Sequence, residues 1–278
     1  VIPTIRIRDN LQLNPNSYVI KIRGVQVAQG ELFSDQFLAM DPGTAQEEID
    51  GIPTTERDRA EALGYTVVDS PSVLSTHLTE LIRAQAGELL GRQDVQKLLD
   101  NLREQQPAVV ESVMPEILNL GQIHRVLQGL LEERVSIRDL PVILESLADH
   151  GRQADDPSVL IERVRSALAR SITEQYLAED GAIHAFMLDP RLEEQIATAL
   201  RETSSGILVA LPPDVIEAVL GAITAAIQQT VTAGGQPILL CAQQVRPGVR
   251  NMTRRRIPSL VVLAYTEISP DATVTTEA

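Results

Sequence analysis

Four histidines, one cysteine and a run of arginines are the residues in this sequence with the most chemistry to offer. His77, His124, His150 and His184 lie at least 26 residues apart, so no two share a helix face as paired metal ligands would. Cys241 stands alone, which rules out an internal disulfide and a cysteine-based metal cluster and suits a reducing compartment. Asp69, Ser75 and His77 have the residue types of a nucleophilic triad. Ser75 and His77 are two positions apart on what reads as a helix, where such side chains diverge, so they do not share a proton. His77 instead sits on an apolar stripe, the place of a hydrogen-bonded core or interface histidine. The phosphate-binding GxxxxGKS/T pattern, GxGxxG after a strand, HExxH and GxSxG are all missing. No catalytic residue, metal or cofactor is expected.

Arg246, Arg250, Arg254, Arg255 and Arg256 form the strongest charge feature, with no acid between Ala242 and Thr266. Binding of single-stranded nucleic acid would call for aromatics among these arginines, and none comes before Tyr265. The stretch is either a solvated helix face or a subunit contact with the acidic remainder of the chain. In the second case Arg250, Arg254 and Arg255 are the candidate oligomer contacts.

The elements that must position these groups belong to a chain of 278 residues with net charge −14, 44% hydrophobic residues, 3% aromatics and no Trp. That length supports about two domains at roughly 150 residues each. The acidic balance argues against a nucleic-acid binder. Evenly spread Leu, Ile and Val argue against disorder. No apolar run approaches the roughly 18 residues of a membrane span. The start, Val1-Ile2-Pro3-Thr4, lacks the features of a signal peptide and opens abruptly on a strand pattern, as a piece of a longer protein would. Residues 269–278 are polar and are expected to form a flexible tail.

Alternation predicts strands at Thr4–Arg8, Tyr18–Arg23 and Val25–Gly30, with a turn at Asn14–Ser17. Glu31 to Glu61 holds nine acids and two arginines and reads as loop-rich. Ser70-Pro71 predicts a helix start with Ser70 as its cap. From Arg92 to Leu177 a 3.6-residue period predicts several short antiparallel helices, broken at Pro107, Pro115, Ser136 and 151–157. Beyond them, 182–188 predicts a strand, 190–203 and 213–232 helices, and 237–241 and 260–264 buried strands flanking a basic helix over 243–256. The architecture is therefore α+β, then helical, then α/β.

Several strings, in order, resemble a known family. Ile5-Arg6-Ile7-Arg8-Asp9-Asn10, Pro15-Asn16-x-Tyr18-x-Ile20-x-Ile22-x-Gly24-Val25 and Ala39-Met40-Asp41-Pro42-Gly43 match its opening. Gly64-Tyr65-Thr66-Val67-Val68-Asp69, Ser75-Thr76-His77-Leu78, Val126-Leu127-Gln128-x-Leu130-Leu131-x-Glu133, Ile137-Arg138-Asp139 and Leu263–Ile268 continue it. Together they resemble the C-terminal cytoplasmic part of the FHIPEP family, the type III export gate proteins, in flagellar rather than virulence-secretion spelling. The resemblance covers nearly the whole chain. It implies an α+β multidomain fold: a split α/β first subdomain (1–34 and 69–90), a small inserted second (35–68), a helical third (91–170) and an α/β fourth (171–268).

The resemblance further implies a docking platform beneath the export channel, part of a bacterial inner-membrane protein at the flagellar basal body. Such platforms form nonameric rings and bind export chaperone–substrate complexes, the export ATPase complex and other gate proteins. Two departures stand out. The family has another helix before the first strand. After Glu56 it continues with Pro-x-Phe-Gly-Leu-Pro-Ala-x-Trp-Ile, where this sequence passes directly to Arg57. The expectation is a mobile stretch left out here, not a deletion. Carried over by position, the chaperone-binding residues are Glu56, Val68, Val73 and Thr76. A shallow apolar pocket with an acid and a hydroxyl at its rim suits an amphipathic or extended segment. Ordinary core positions fit Val68 and Val73 equally well, and a helix hydroxyl bonded to its own backbone fits Thr76. Two other readings stay open: the same module from a virulence injection system, and a soluble α/β enzyme.

Overall fold

The computed structural model describes residues 4–33, 36–40, 52–53, 57–62, 66–153, 156–203, 206–232 and 234–276. The chain forms two compact units, Val1–Gly91 and Arg92–Ala278.

In the first unit, β1 (Ser17–Ile22) and β2 (Val25–Glu31) make an antiparallel hairpin. Its two-residue turn puts Arg23 at φ 50° and Gly24 at φ 86°, the left-handed pair whose twist matches that of the strands. β3 (Gln36–Met40) is the central strand of a second antiparallel sheet, between β4 (Ile52–Pro53) and β5 (Thr66–Asp69). A short helix, α1 (Arg57–Ala62), precedes β5. The acidic stretch read as loop therefore holds two strands and a helix. α2 (Ser70–Ala84) and α3 (Ala86–Leu89) complete the unit. The cap of α2 is one residue earlier than expected: Asp69 accepts the Ser72 amide at 2.8 Å. Ser70 instead donates its hydroxyl to the Phe33 carbonyl at 2.6 Å. Thr4–Arg8, expected as a strand, does not form one, and Ile7 is 91% exposed. Alternation marks a strand only where a neighbouring backbone is available to pair with it.

The second unit begins with helices: α4 (Arg92–Gln105), α5 (Pro107–Glu111), α6 (Leu120–Glu132), α7 (Leu140–His150), α8 (Pro157–Ala167) and α9 (Ala169–Tyr176). Their 3.6-spaced residues, among them Val95, Leu99, Ile123, Leu127, Leu130, Ile143, Leu144, Leu147, Leu160 and Val164, are buried as expected. Starts are marked chemically. Asn119 and Gln122 form a reciprocal capping box on α6, and Asp156 caps α8 just before Pro157.

An α/β layer follows: β6 (Ala182–Met187), α10 (Pro190–Ala199), β7 (Leu200–Thr203), β8 (Gly206–Val209), α11 (Pro213–Thr232), β9 (Ile238–Cys241), α12 (Arg246–Thr253), β10 (Val261–Ala264), a 3₁₀ turn (Tyr265–Glu267) and β11 (Thr273–Thr276). The sheet is parallel, in the order β10-β9-β6-β11, and β9 is buried throughout. Two expectations are corrected. The helix read over 190–203 stops at Ala199, because Leu200–Thr203 pairs antiparallel with Gly206–Val209. Part of the segment expected as a flexible tail, 269–278, is β11, held parallel to β6 from Thr273↔Ala182 to Thr276↔Ala185.

Gly248 lets α12 approach the β7–β8 hairpin closely. A Cβ there would lie 2.5 Å from Leu200 Cδ2 and 2.9 Å from Val209 Cγ2.

Candidate functional site

Two adjoining depressions on the first unit, about 750 and 330 Å³, share Leu32, Gln36, Phe37 and Ser70 as walls. β3 and β5 create them: register pairs Leu38 with Val68 and Phe37 with Asp69, and α2 starts where β5 ends. Val68 lines the larger depression and Val73, one turn into α2, lines the smaller. Both are half-buried and outside the fully buried core. Phe33 (41% exposed) and Leu38 (44%) add open apolar surface. The Arg57 guanidinium stands 5.5 Å from the centre of the Phe37 ring.

The rim is polar. Asp69 lines the larger depression, and hydrogen bonds from Ser72 hold its carboxyl below the usual range, with a smaller contribution from Arg57. Thr76 is exposed on α2 and lines neither depression. Its neighbours Ser75 and Thr79 bond back to Pro71 and Ser75 carbonyls, whereas Thr76 makes no such bond. Glu56 lies outside the described residues. The depressions thus bring Val68 and Val73 together with Phe33 and Phe37, which the sequence reading passed over, and with Asp69, which it weighed only as part of a triad. Their signal was present: two of the chain's three phenylalanines fall in its most acidic stretch.

His77 is hydrogen-bonded, as its place on the apolar stripe suggested. Tyr18 Oη lies 2.5 Å from His77 Nδ1, with the rings edge to face. Gly30 opposite Tyr18 makes room, since a Cβ there would sit 2.6 Å from the tyrosine oxygen. This bond fixes the β1–β2 hairpin to α2.

The basic stretch in the second unit divides. Arg246, read as part of a surface helix face, is instead 1% exposed at the centre of a charge cluster. It donates to Glu133 (2.6 and 3.1 Å) and to Glu162 (2.7 Å and a shorter contact), and its Nε is 3.3 Å from Glu267. Arg165 pairs with Glu267 and reaches Glu133 at 3.4 Å. Burial alone would raise the Glu133 carboxyl, but Arg246 and then Arg165 outweigh it and hold it at about 2. For Glu162 burial wins and pushes the carboxyl up despite Arg246. Arg254 and Arg255 are exposed. Cys241 is buried, and burial pushes its thiol up to about 12, which leaves it inert as a nucleophile. Neither unit assembles a nucleophile, a base and an orienting group among the described residues. The open site is a pair of apolar depressions with a polar rim.

Comparison with known proteins places the chain in a family. The FHIPEP family model matches residues 1–273. The flagellar biosynthesis protein FlhA of Bacillus subtilis strain 168 is 41% identical over 288 aligned residues, covering 99% of this chain and 42% of that protein. The chain therefore spans about two fifths of the length of that relative. Among solved structures, the Chlamydia pneumoniae CdsV and CdsO protein complex aligns with TM-score 0.81 and 26% identity, covering 96% of this chain and 81% of that one. Nonameric EPEC SctV-C aligns with TM-score 0.79 and 23% identity, covering 96% and 84%. With the match running from its first residue to 273, the chain belongs to the FHIPEP family.

Proposed function

We propose that this chain is the cytoplasmic docking platform of a bacterial flagellar type III protein export gate, receiving export chaperones with their substrates. The observation that carries the reading is an open apolar depression with an acidic rim in a chain of this family. Val68, Val73 and Thr76 form the chaperone contact, joined by Glu56 on the strength of the family pattern alone. Apolar walls supply the affinity of such a contact and the rim groups set its orientation. The division into a split first subdomain (1–34 and 69–90), an inserted second (35–68), a helical third (91–170) and an α/β fourth (171–268) belongs to the same proposal.

The chain works as part of a bacterial inner-membrane protein at the flagellar basal body, and not as an enzyme. It assembles as a nonameric ring, a form named for the EPEC SctV-C relative. Beyond chaperones, its partners are the export ATPase complex and other gate proteins. That a CdsV protein has been solved in complex with CdsO supports the idea of a protein-binding platform. Calorimetric titration with a flagellar chaperone–substrate complex tests the reading: micromolar binding is expected, and no heat with any flagellar chaperone removes it.

A second reading, the equivalent domain of a virulence injection system, draws on the likeness to CdsV and SctV-C. Identity of 41% to a flagellar relative against 26% and 23% to these favours the flagellar assignment.

A further inference from the structure

In the second unit a cleft of about 440 Å³ opens between α8 and α12. Arg250, Arg254 and Arg255 line one side of it, and Ile161 and Ile207 give it an apolar floor. Among the described residues the side chains of Arg254 and Arg255 have no ion-pair or hydrogen-bond partner, unlike that of Arg256, which pairs with Glu217 at 2.6 Å. Arg250 comes within 4.0 Å of Glu133, yet its Nη1 has no acceptor, and Ser158 Oγ at the start of α8 is likewise unpartnered. Of the acids facing the cleft, Glu133 and Glu162 are already occupied by Arg246. Among the described residues the Glu132 side chain has no partner.

We propose that this cleft is a self-association contact that takes carboxylates from a second copy of this chain. Charge complementarity selects the occupant. The chain carries −14 overall, and with the five arginines between Ala242 and Thr266 set aside the remainder carries −19. The exposed, unpaired Arg254 and Arg255 of each copy therefore meet an acidic surface on the next. Adjacent guanidiniums form paired, directional bonds to carboxylates, and the apolar floor covers the stems of Asp and Glu side chains. The proposal rests on the ring reading above and assigns one of its contacts.

The test is sedimentation of the 278-residue chain over a concentration series at low and high salt, with Arg254→Gln/Arg255→Gln beside the parent. Association of the parent that weakens with salt, and at least tenfold weaker association of the variant with an unchanged melting temperature, is expected. Neighbour identity is read from an Arg254→Lys/Arg255→Lys variant, prepared with ¹⁴N and ¹⁵N, mixed equally and coupled with a carbodiimide. Isotope-mixed cross-linked peptides at positions 254 or 255 are expected. Coupling within single chains only, or undiminished association of the glutamine variant, overturns the cleft while leaving the ring intact. A parent that stays monomeric at every concentration removes both.

Discussion

Arg165 and Glu267, 102 residues apart in sequence, form a two-point ion pair in the interior of the second unit: Nε to Oε1 at 2.9 Å and Nη2 to Oε2 at 2.5 Å. Both side chains are almost fully buried, at 2% and 1% exposure. The pair ties α8 to the 3₁₀ turn after β10, and through Glu133 and Arg246 the same cluster reaches the end of α6 and the start of α12. Such a cluster adds little net stability over an apolar equivalent, because desolvation offsets the attraction, but breaking it is expensive.

Arg165→Met should therefore destabilise the second unit by about 3–5 kcal/mol, since Glu267 would stay buried with only the 3.3 Å contact to Arg246. Urea denaturation measures this directly. The double variant Arg165→Met/Glu267→Leu should recover part of the loss, because both charges then leave together. A loss under 1 kcal/mol in the single variant would show that the pair is solvated in solution.

Acid should act through Glu133. Its carboxyl is held at about 2 against an ordinary value of 4.5, so its contribution is complete above about pH 4.5 and disappears as pH falls through 2. The shift corresponds to on the order of 3 kcal/mol. Glu162, pushed up, acts with the opposite sign: its protonated form is favoured in the fold, and that contribution is lost as pH rises through its folded value. Urea midpoints between pH 2 and 5 should fall steeply for the parent. Glu133→Gln should flatten the slope and Glu162→Gln steepen it.

Gly248→Ala sets two effects against each other. Alanine gains up to about 1 kcal/mol over glycine in a helix interior. The new methyl would lie 2.5 and 2.9 Å from Leu200 and Val209, and overpacking of this kind costs about 1–3 kcal/mol. The clash should win, lowering stability by about 1 kcal/mol, and adding Leu200→Ala should relieve the part that comes from Leu200. Thermal melts of the three proteins decide it.

Chaperone binding should respond to changes in and beside the depressions without loss of fold. Thr76→Met alters an exposed position, and Phe37→Ala removes a wall shared by both depressions. Each should weaken affinity for a chaperone–substrate complex by about tenfold, about 1.4 kcal/mol. Circular dichroism of Thr76→Met should match the parent. Unchanged affinity in calorimetry would take Thr76 out of the contact.

Helical periodicity carried the α4–α9 region because each stripe faces a neighbour close in sequence, so the local pattern and the tertiary burial agree. Arg246 escaped because spacing along one helix says nothing about the acids that Glu133, Glu162 and Glu267 bring from 21 to 113 residues away. β11 escaped because an edge strand of Thr-Val-Thr-Thr carries no apolar run, and its pairing with β6 is decided by the sheet. At the candidate site, the family resemblance pointed to Val68 and Val73, which line the depressions, but the acid count of residues 31–61 masked Phe33 and Phe37. Aromatic walls between charges are legible only once β3 is seen beside β5.

That same late strand bears on how the protein behaves as a purified sample. β11 occupies the outer edge of the parallel sheet and pairs with β6 from Ala182 to Ala185. A chain shortened before Thr273 would leave Ile183 and its neighbours as an open template for strands of other molecules. Four residues at the sheet margin, three of them threonines, thereby act as a guard against aggregation.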